Sequence, residues 1–207
     1  MKINLFMKGK MFIIGVLIVT IMNSCNKDDG DGILIQDHND SEMMSILHSM
    51  MRSMDSLTMT NDPDNDFARI MKVHHKGGIE MSDLVMQKGN NPVLNELASQ
   101  MTSQNLKEIA SLDSFLVVHS PVVNESRFRE QAEKAMEIMS NNADLQLLTG
   151  NVDHDFAILL IQHHVGAIDL FDLEIQFGIS SGLKLLAGKM KIDQLKEIEL
   201  LQDWLLK

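Results

Sequence analysis

The sequence predicts an all-α protein, a helical bundle built from two tandem helical hairpins with a shorter helix before each hairpin. Three observations carry this. Sliding the chain by 89 residues aligns Asp66–Leu116 with Asp155–Leu205 without a gap, and 21 of the 51 aligned positions are identical, so the chain contains an internal repeat. Apolar residues recur at intervals of three, four and seven through long stretches bracketed by helix start and stop signals. Composition agrees: Leu, Met, Glu, Lys and Ala are frequent, with no Tyr and 3 Pro, and no stretch alternates in the manner of a strand.

In order, Lys2, Lys8 and Lys10 precede the apolar run Met11–Met22, which is too short for a comfortable membrane span and has the form of an export signal. The single cysteine, Cys25, follows directly, in a setting that resembles the lipobox of bacterial lipoproteins. Residues 1–24 are expected to be a lipoprotein signal peptide, Cys25 the lipidated first residue of the mature chain, and residues 25–40 a polar tether. The expected address is the bacterial cell envelope, with membrane attachment through the lipid anchor. Residues 41–207 form the helical domain, with repeats at about 41–118 and 125–206.

Without residues 1–24 the chain keeps 15 basic against 29 acidic residues. That balance argues against nucleic acid as a partner and is compatible with holding cations. With Cys25 lipidated no thiol remains, so soft-metal chemistry falls to Met and His.

From Ser41 the pattern becomes helical: Met43, Leu47, Met50 and Met54 share a face, beside a second stripe of Met44, His48 and Met51. Asp62-Pro63-Asp64 is a helix start, with the N-cap at Asp62 and proline in the first turn, and Asn151 opens the second copy alike. Both helices run to a glycine, Gly89 and Gly178, where left-handed C-caps are expected. New helices begin at Asn91-Pro92 and Ser180-Ser181, so each pair is an antiparallel hairpin. The returning helices carry Leu97, Met101, Gln104, Glu108, Leu112 and Phe115, matched by Leu186, Met190, Asp193, Glu197, Leu201 and Trp204. Between the hairpins, after Ser120-Pro121, a shorter helix is expected over residues 127–140. A long connection between hairpins is what a ferritin-like four-helix bundle with one crossover needs.

The chemistry lies in His74-His75 and His163-His164, adjacent pairs at equivalent positions of the repeat. Phe67, Met71, His74, Gly78 and Met81 form one stripe, with His75 at its edge and Gly78 leaving room for imidazole. Counting back from the hairpin turn brings Glu108 abreast of the first pair and Glu197 abreast of the second. The expected metal ligands are His74, His75, Met71, Met81 and Glu108 in one site, and His163, His164 and Glu197 in another. Leu160 and Leu170 replace the two methionines in the second copy, so the first site is expected to suit Cu(I) or Ag(I) and the second a harder ion such as Cu(II) or Zn(II).

These residues carry a resemblance. Phe-Ala, a Met or Leu three before His-His, Gly or Ala-Ile and an acid, then a helix with Gln or Asp and Glu-Ile, all twice over, resemble the ferritin-like family known as domain of unknown function 305. The resemblance implies a helical bundle in the bacterial envelope, with copper binding and tolerance in some members, and with the His pairs, Met71 and Met81 as the inherited positions. The expectation is a non-catalytic protein that sequesters or hands on copper, another transition metal being the alternative ion. A di-iron oxidoreductase would need two Glu-x-x-His motifs, and no histidine here has Glu three residues before it. A bundle that only presents a surface to another envelope protein is the third reading.

Overall fold

The computed structural model describes residues 34–207, so the signal-like segment, Cys25 and the first part of the tether lie outside the described residues. Six helices follow: α1 Glu42–Asp55, α2 Pro63–Lys88, α3 Pro92–Val118, α4 Ser126–Asp144, α5 Val152–Phe177 and α6 Ser181–Leu205. The four long ones hold 26, 27, 26 and 25 residues, rods of roughly 40 Å. α2 packs on α3 and α5 on α6 as antiparallel hairpins, and α2 and α5 pack on each other as the central pair. The short helices lie outside them, α1 on α2 and α4 on α5. This is the all-α bundle the repeat predicts.

Local chemistry sets the boundaries. Asp62, Asn91, Asn151 and Ser180 are all N-caps, each accepting from backbone N–H groups of its own first turn. The two repeats also cap one another. Asp64, at the start of α2, accepts from the N–H groups of Ile179 and Ser180 ahead of α6, while Asp153, its counterpart in α5, accepts from Asn90 and Asn91 ahead of α3. Asp66 and Asp155 are buried anchors for the loops before their helices, accepting from Thr60 and Asn61 and from Thr149 and Gly150 respectively. Those loops turn on equivalent left-handed residues, Asn61 (φ 63°) and Gly150 (φ 76°).

Three expectations are corrected. Gly89 and Gly178 are not left-handed caps: their φ, ψ are −77°, 158° and −60°, 158°. Glycine is needed there for close approach, since a Cβ would sit 2.6 Å from the Val85 carbonyl oxygen at Gly89 and 2.7 Å from the Glu174 carbonyl oxygen at Gly178, with the Asp153 and Glu174 carboxyls also in the way. The end of the expected tether is docked, Gln36 N–H donating to the Leu148 carbonyl at 2.7 Å and the His38 ring lying 2.8 Å from the Gln146 carbonyl. The helix between the hairpins is longer than expected, running to Asp144.

Methionine fills the seams. Met50 of α1 and Met139 of α4, themselves equivalent, lie over Gly77 and Gly166, where a Cβ would sit 2.5 Å from each sulfur. Those glycines let the short helices close on the central pair. His48, on the second stripe of α1, lies 2.8 Å from Asp144, while Met44 and Met51 of that stripe are buried. α5 is apolar enough for its length to cross a membrane, yet 61% of its most apolar window is buried, as befits a helix enclosed by α1, α2, α4 and α6.

Candidate metal centre

The helical spacing that places histidine on the inner faces of α2 and α5 brings all four rings to the contact between those helices. His74, His75, His163 and His164 are each at most 1% exposed. The rings of His74 and His163 stack, with centroids 3.6 Å apart and planes inclined by 28°. The ring Nε2 of His74 lies 3.1 Å from the His163 backbone carbonyl. A carbonyl only accepts, so the His74 proton belongs on Nε2 and the lone pair on Nδ1. Burial, with His75 and His164 nearby, pushes the pKa of His74 well below the usual histidine range. Burial and the other three imidazoles do the same to His163. Both rings are neutral at pH 7.

Each of the four imidazoles buries an Nδ1 without a hydrogen-bond partner, and His75 and His164 lack one at Nε2 too. A buried polar atom left unpaired costs about 1–3 kcal/mol, so four on one contact mark a place built for something other than stability. Glu108 Oε2 approaches His75 Nε2 to 3.0 Å, and Glu197 Oε2 approaches His164 Nε2 to 2.8 Å. These are ion-pair distances, but the oxygens lie off the hydrogen-bonding directions of the rings. Glu108 is further fixed by Gln104, whose Nε2 donates to it at 2.5 Å.

The two expected groups of ligands adjoin: Glu108 lies beside His75 and Glu197 beside His164, each within its own repeat, while His74 of the first repeat stacks on His163 of the second. Gly78 makes room as expected, but for the other repeat, since a Cβ there would lie 3.1 Å from His163 Nε2 and 3.1 Å from Asn105 Nδ2. Met71 and Met81 are fully buried on the same helix as His74, one turn before it and two turns after.

The sequence pattern puts Met101 and Met190 on the inner stripe without assigning them to a site, and it misses Asn105 and Gln194. Met101, Asn105 and Glu108 of α3 face Met190, Gln194 and Glu197 of α6 around a cavity of about 10 Å³. Each pair is 89 residues apart, so the cavity lies between equivalent faces of the two repeats. Asn105 and Gln194 are each 7% exposed, and Met101 and Met190 are 3% and 1% exposed. The repeat alone could have flagged the methionines, since both copies keep Met at that position.

Among the described residues, one trio of His and carboxylate donors lies mutually within 4.8 Å: Asp62, Asp64 and His119. Its oxygens are already committed. Asp62 accepts from Asn65, Val122, Val123 and His119, and each oxygen of Asp64 accepts from both Ile179 and Ser180. That network is structural. Beside it the buried carboxyl of Glu174 has its pKa pushed up to about 10 by burial and by Asp64, so it stays protonated at neutral pH.

The family model described as domain of unknown function (DUF305) matches residues 27–116 and 64–205. The chain belongs to the DUF305 family. No curated protein and no solved structure matches it. The two overlapping matches agree with the architecture: the first ends within α3 and covers nearly all of the first hairpin of this DUF305 chain, and the second runs from the start of α2 almost to the C-terminus and so covers both hairpins.

Proposed function

We propose that this protein binds a soft monovalent ion, Cu(I) or Ag(I), at a single centre between its two repeats, and that it sequesters or hands on that ion in the bacterial envelope. The observation that carries the reading is the set of four buried, unpartnered Nδ1 atoms, two of them on the stacked rings of His74 and His163 that burial holds neutral. Neutral imidazole is a metal ligand, and soft d10 ions accept as few as two donors, so a cage of three or four prealigned atoms is not required. A ligating histidine characteristically gives its other ring nitrogen to a carbonyl or carboxylate. The His163 carbonyl at His74 has that position, and Glu108 and Glu197 stand 3.0 and 2.8 Å from His75 Nε2 and His164 Nε2. We accordingly assign the two carboxylates to orienting the rings, and Met71 and Met81 to thioether donors flanking the centre.

Methionine and histidine suit an envelope protein because they bind soft ions without a free thiol that oxidation would consume. Attachment through Cys25 would hold such a site at the membrane. Competition against a Cu(I) chelator tests the reading: replacing His74, His75, His163 and His164 by Asn should abolish tight Cu(I) binding with helicity retained. Undiminished affinity in that variant would refute it.

A further inference from the structure

We infer that the cavity between α3 and α6 is an admission port, one ion wide, in which the thioethers of Met101 and Met190 take up a soft cation before it reaches the four histidines. The inference rests on the reading of the histidine cluster as a soft-ion centre. Three features of the cavity carry it.

The first is size. A cavity of about 10 Å³ is close to the smallest that holds one water molecule, so it admits a single stripped ion and excludes a hydrated one or an organic ligand. The second is chemistry. Along the same faces Leu97, Leu112, Leu186 and Leu201 fill apolar positions with leucine in both repeats, whereas the equivalent positions lining the cavity are methionine in both. Thioether sulfur is neutral and polarisable, and it replaces the hydration of Cu(I) or Ag(I) far better than that of Mg(II) or Zn(II). The third is an unpartnered donor. Gln194 is 7% exposed and lines the cavity, and its Oε1 has no hydrogen-bond partner.

Position completes the argument. Glu108 and Glu197 line the cavity and lie 3.0 and 2.8 Å from His75 and His164. Asn105 lines it as well, and its Nδ2 shares with His163 Nε2 the space above Gly78. The walls of the cavity are thus in contact with two of the four imidazoles, His75 and His164, and reach through Asn105 to the space that His163 borders. At the rim, Asp193 is held by Lys189 at 2.7 Å and by Lys196 at 3.4 Å, leaving the neutral sulfurs as the softest donors lining the cavity.

The test is titration of the full-length protein, carrying methyl-labelled methionine, with Ag(I) in chloride-free buffer. Methyl and imidazole resonances are followed together, and Met101 and Met190 are assigned through Met101→Leu and Met190→Leu. Both methyls should shift within the first equivalent, and the double leucine variant should load Ag(I) roughly 10-fold more slowly or worse with unchanged helicity, because Leu nearly conserves the volume. If the imidazoles respond while both methyls stay fixed and the loading rate is unchanged, the port is refuted and the histidine centre stands. If neither set responds, both readings fall.

Discussion

His74 and His163 occupy equivalent positions of the repeat, 89 residues apart, and their rings stack with centroids 3.6 Å apart. A duplicated sequence has thus put two copies of one motif against each other. Each copy becomes the other's wall: His74 meets the His163 carbonyl, and His163 fills the space above Gly78.

That dependence on Gly78 is testable. Gly78→Ala gains about 1 kcal/mol of helix propensity, and its Cβ at 3.1 Å from His163 Nε2 and Asn105 Nδ2 needs only small shifts. Gly78→Val adds branches that must displace one of the two, a cost of about 1–3 kcal/mol. Thermal unfolding should rank Ala near the wild type and Val clearly below it, with Cu(I) affinity falling in the same order.

Crossed capping predicts that the hairpins stabilise one another. Asp153→Ala removes the acceptor of Asn90 and Asn91, in the other repeat, and should cost about 1–2 kcal/mol. Asp64→Ala should cost at least as much, because Ile179 and Ser180 lose both oxygens and Glu174 loses its neighbour. Denaturant unfolding should be a single transition in both variants; separate unfolding of the two hairpins would contradict the crossed arrangement.

Glu174 gives a pH prediction with a definite sign. Its carboxyl is raised from 4.5 to about 10 in the folded protein, so between those values the folded state holds a proton that the unfolded state has released. Stability is therefore greatest below the unfolded pKa and falls as pH rises toward 10, and by pH 7 the loss is on the order of 3 kcal/mol. Glu174→Gln cannot ionise, so it should raise the melting temperature at pH 7–9 and flatten its decline with pH. An identical pH profile in the variant would contradict the assignment. Val85 holds the equivalent place in the first repeat, so a carboxyl here is not a requirement of the fold.

Attachment to the envelope is checked at Cys25. Cys25→Ala should move the protein from the membrane fraction to the soluble fraction, and continued retention at the membrane would contradict lipidation.

The helices were legible because their signals are local. Asp62, Asn91, Asn151 and Ser180 cap the first turns that follow them, and the inner stripe through Phe67, Met71, His74 and Met81 is a property of one helix. What the repeat could not reveal was contact between its copies. Equivalence says that His74 and His163 have similar surroundings, and only the packing of α2 on α5 makes each part of the other's surroundings. On the returning helices the spacing puts Gln104 and Asp193 on the inner stripe, and both line the cavity, but the buried polar positions are one residue on, at Asn105 and Gln194; one residue is 100° around a helix, and the edge of a stripe is where spacing decides least. Glycine after a helix usually means a left-handed cap, whereas Gly89 and Gly178 answer to the Val85 and Glu174 carbonyls one turn back, which leave no room for a Cβ.

The most direct test of the shared centre is the stoichiometry of Cu(I) in the wild type and in two half-variants, His74→Asn with His75→Asn and His163→Asn with His164→Asn, measured by chelator competition. A centre built across the repeats predicts one tightly bound Cu(I) per chain, and a loss of tight binding when either pair is removed. Two tight ions per chain, or one half-variant that keeps wild-type affinity, would show that each repeat binds on its own and would contradict the account.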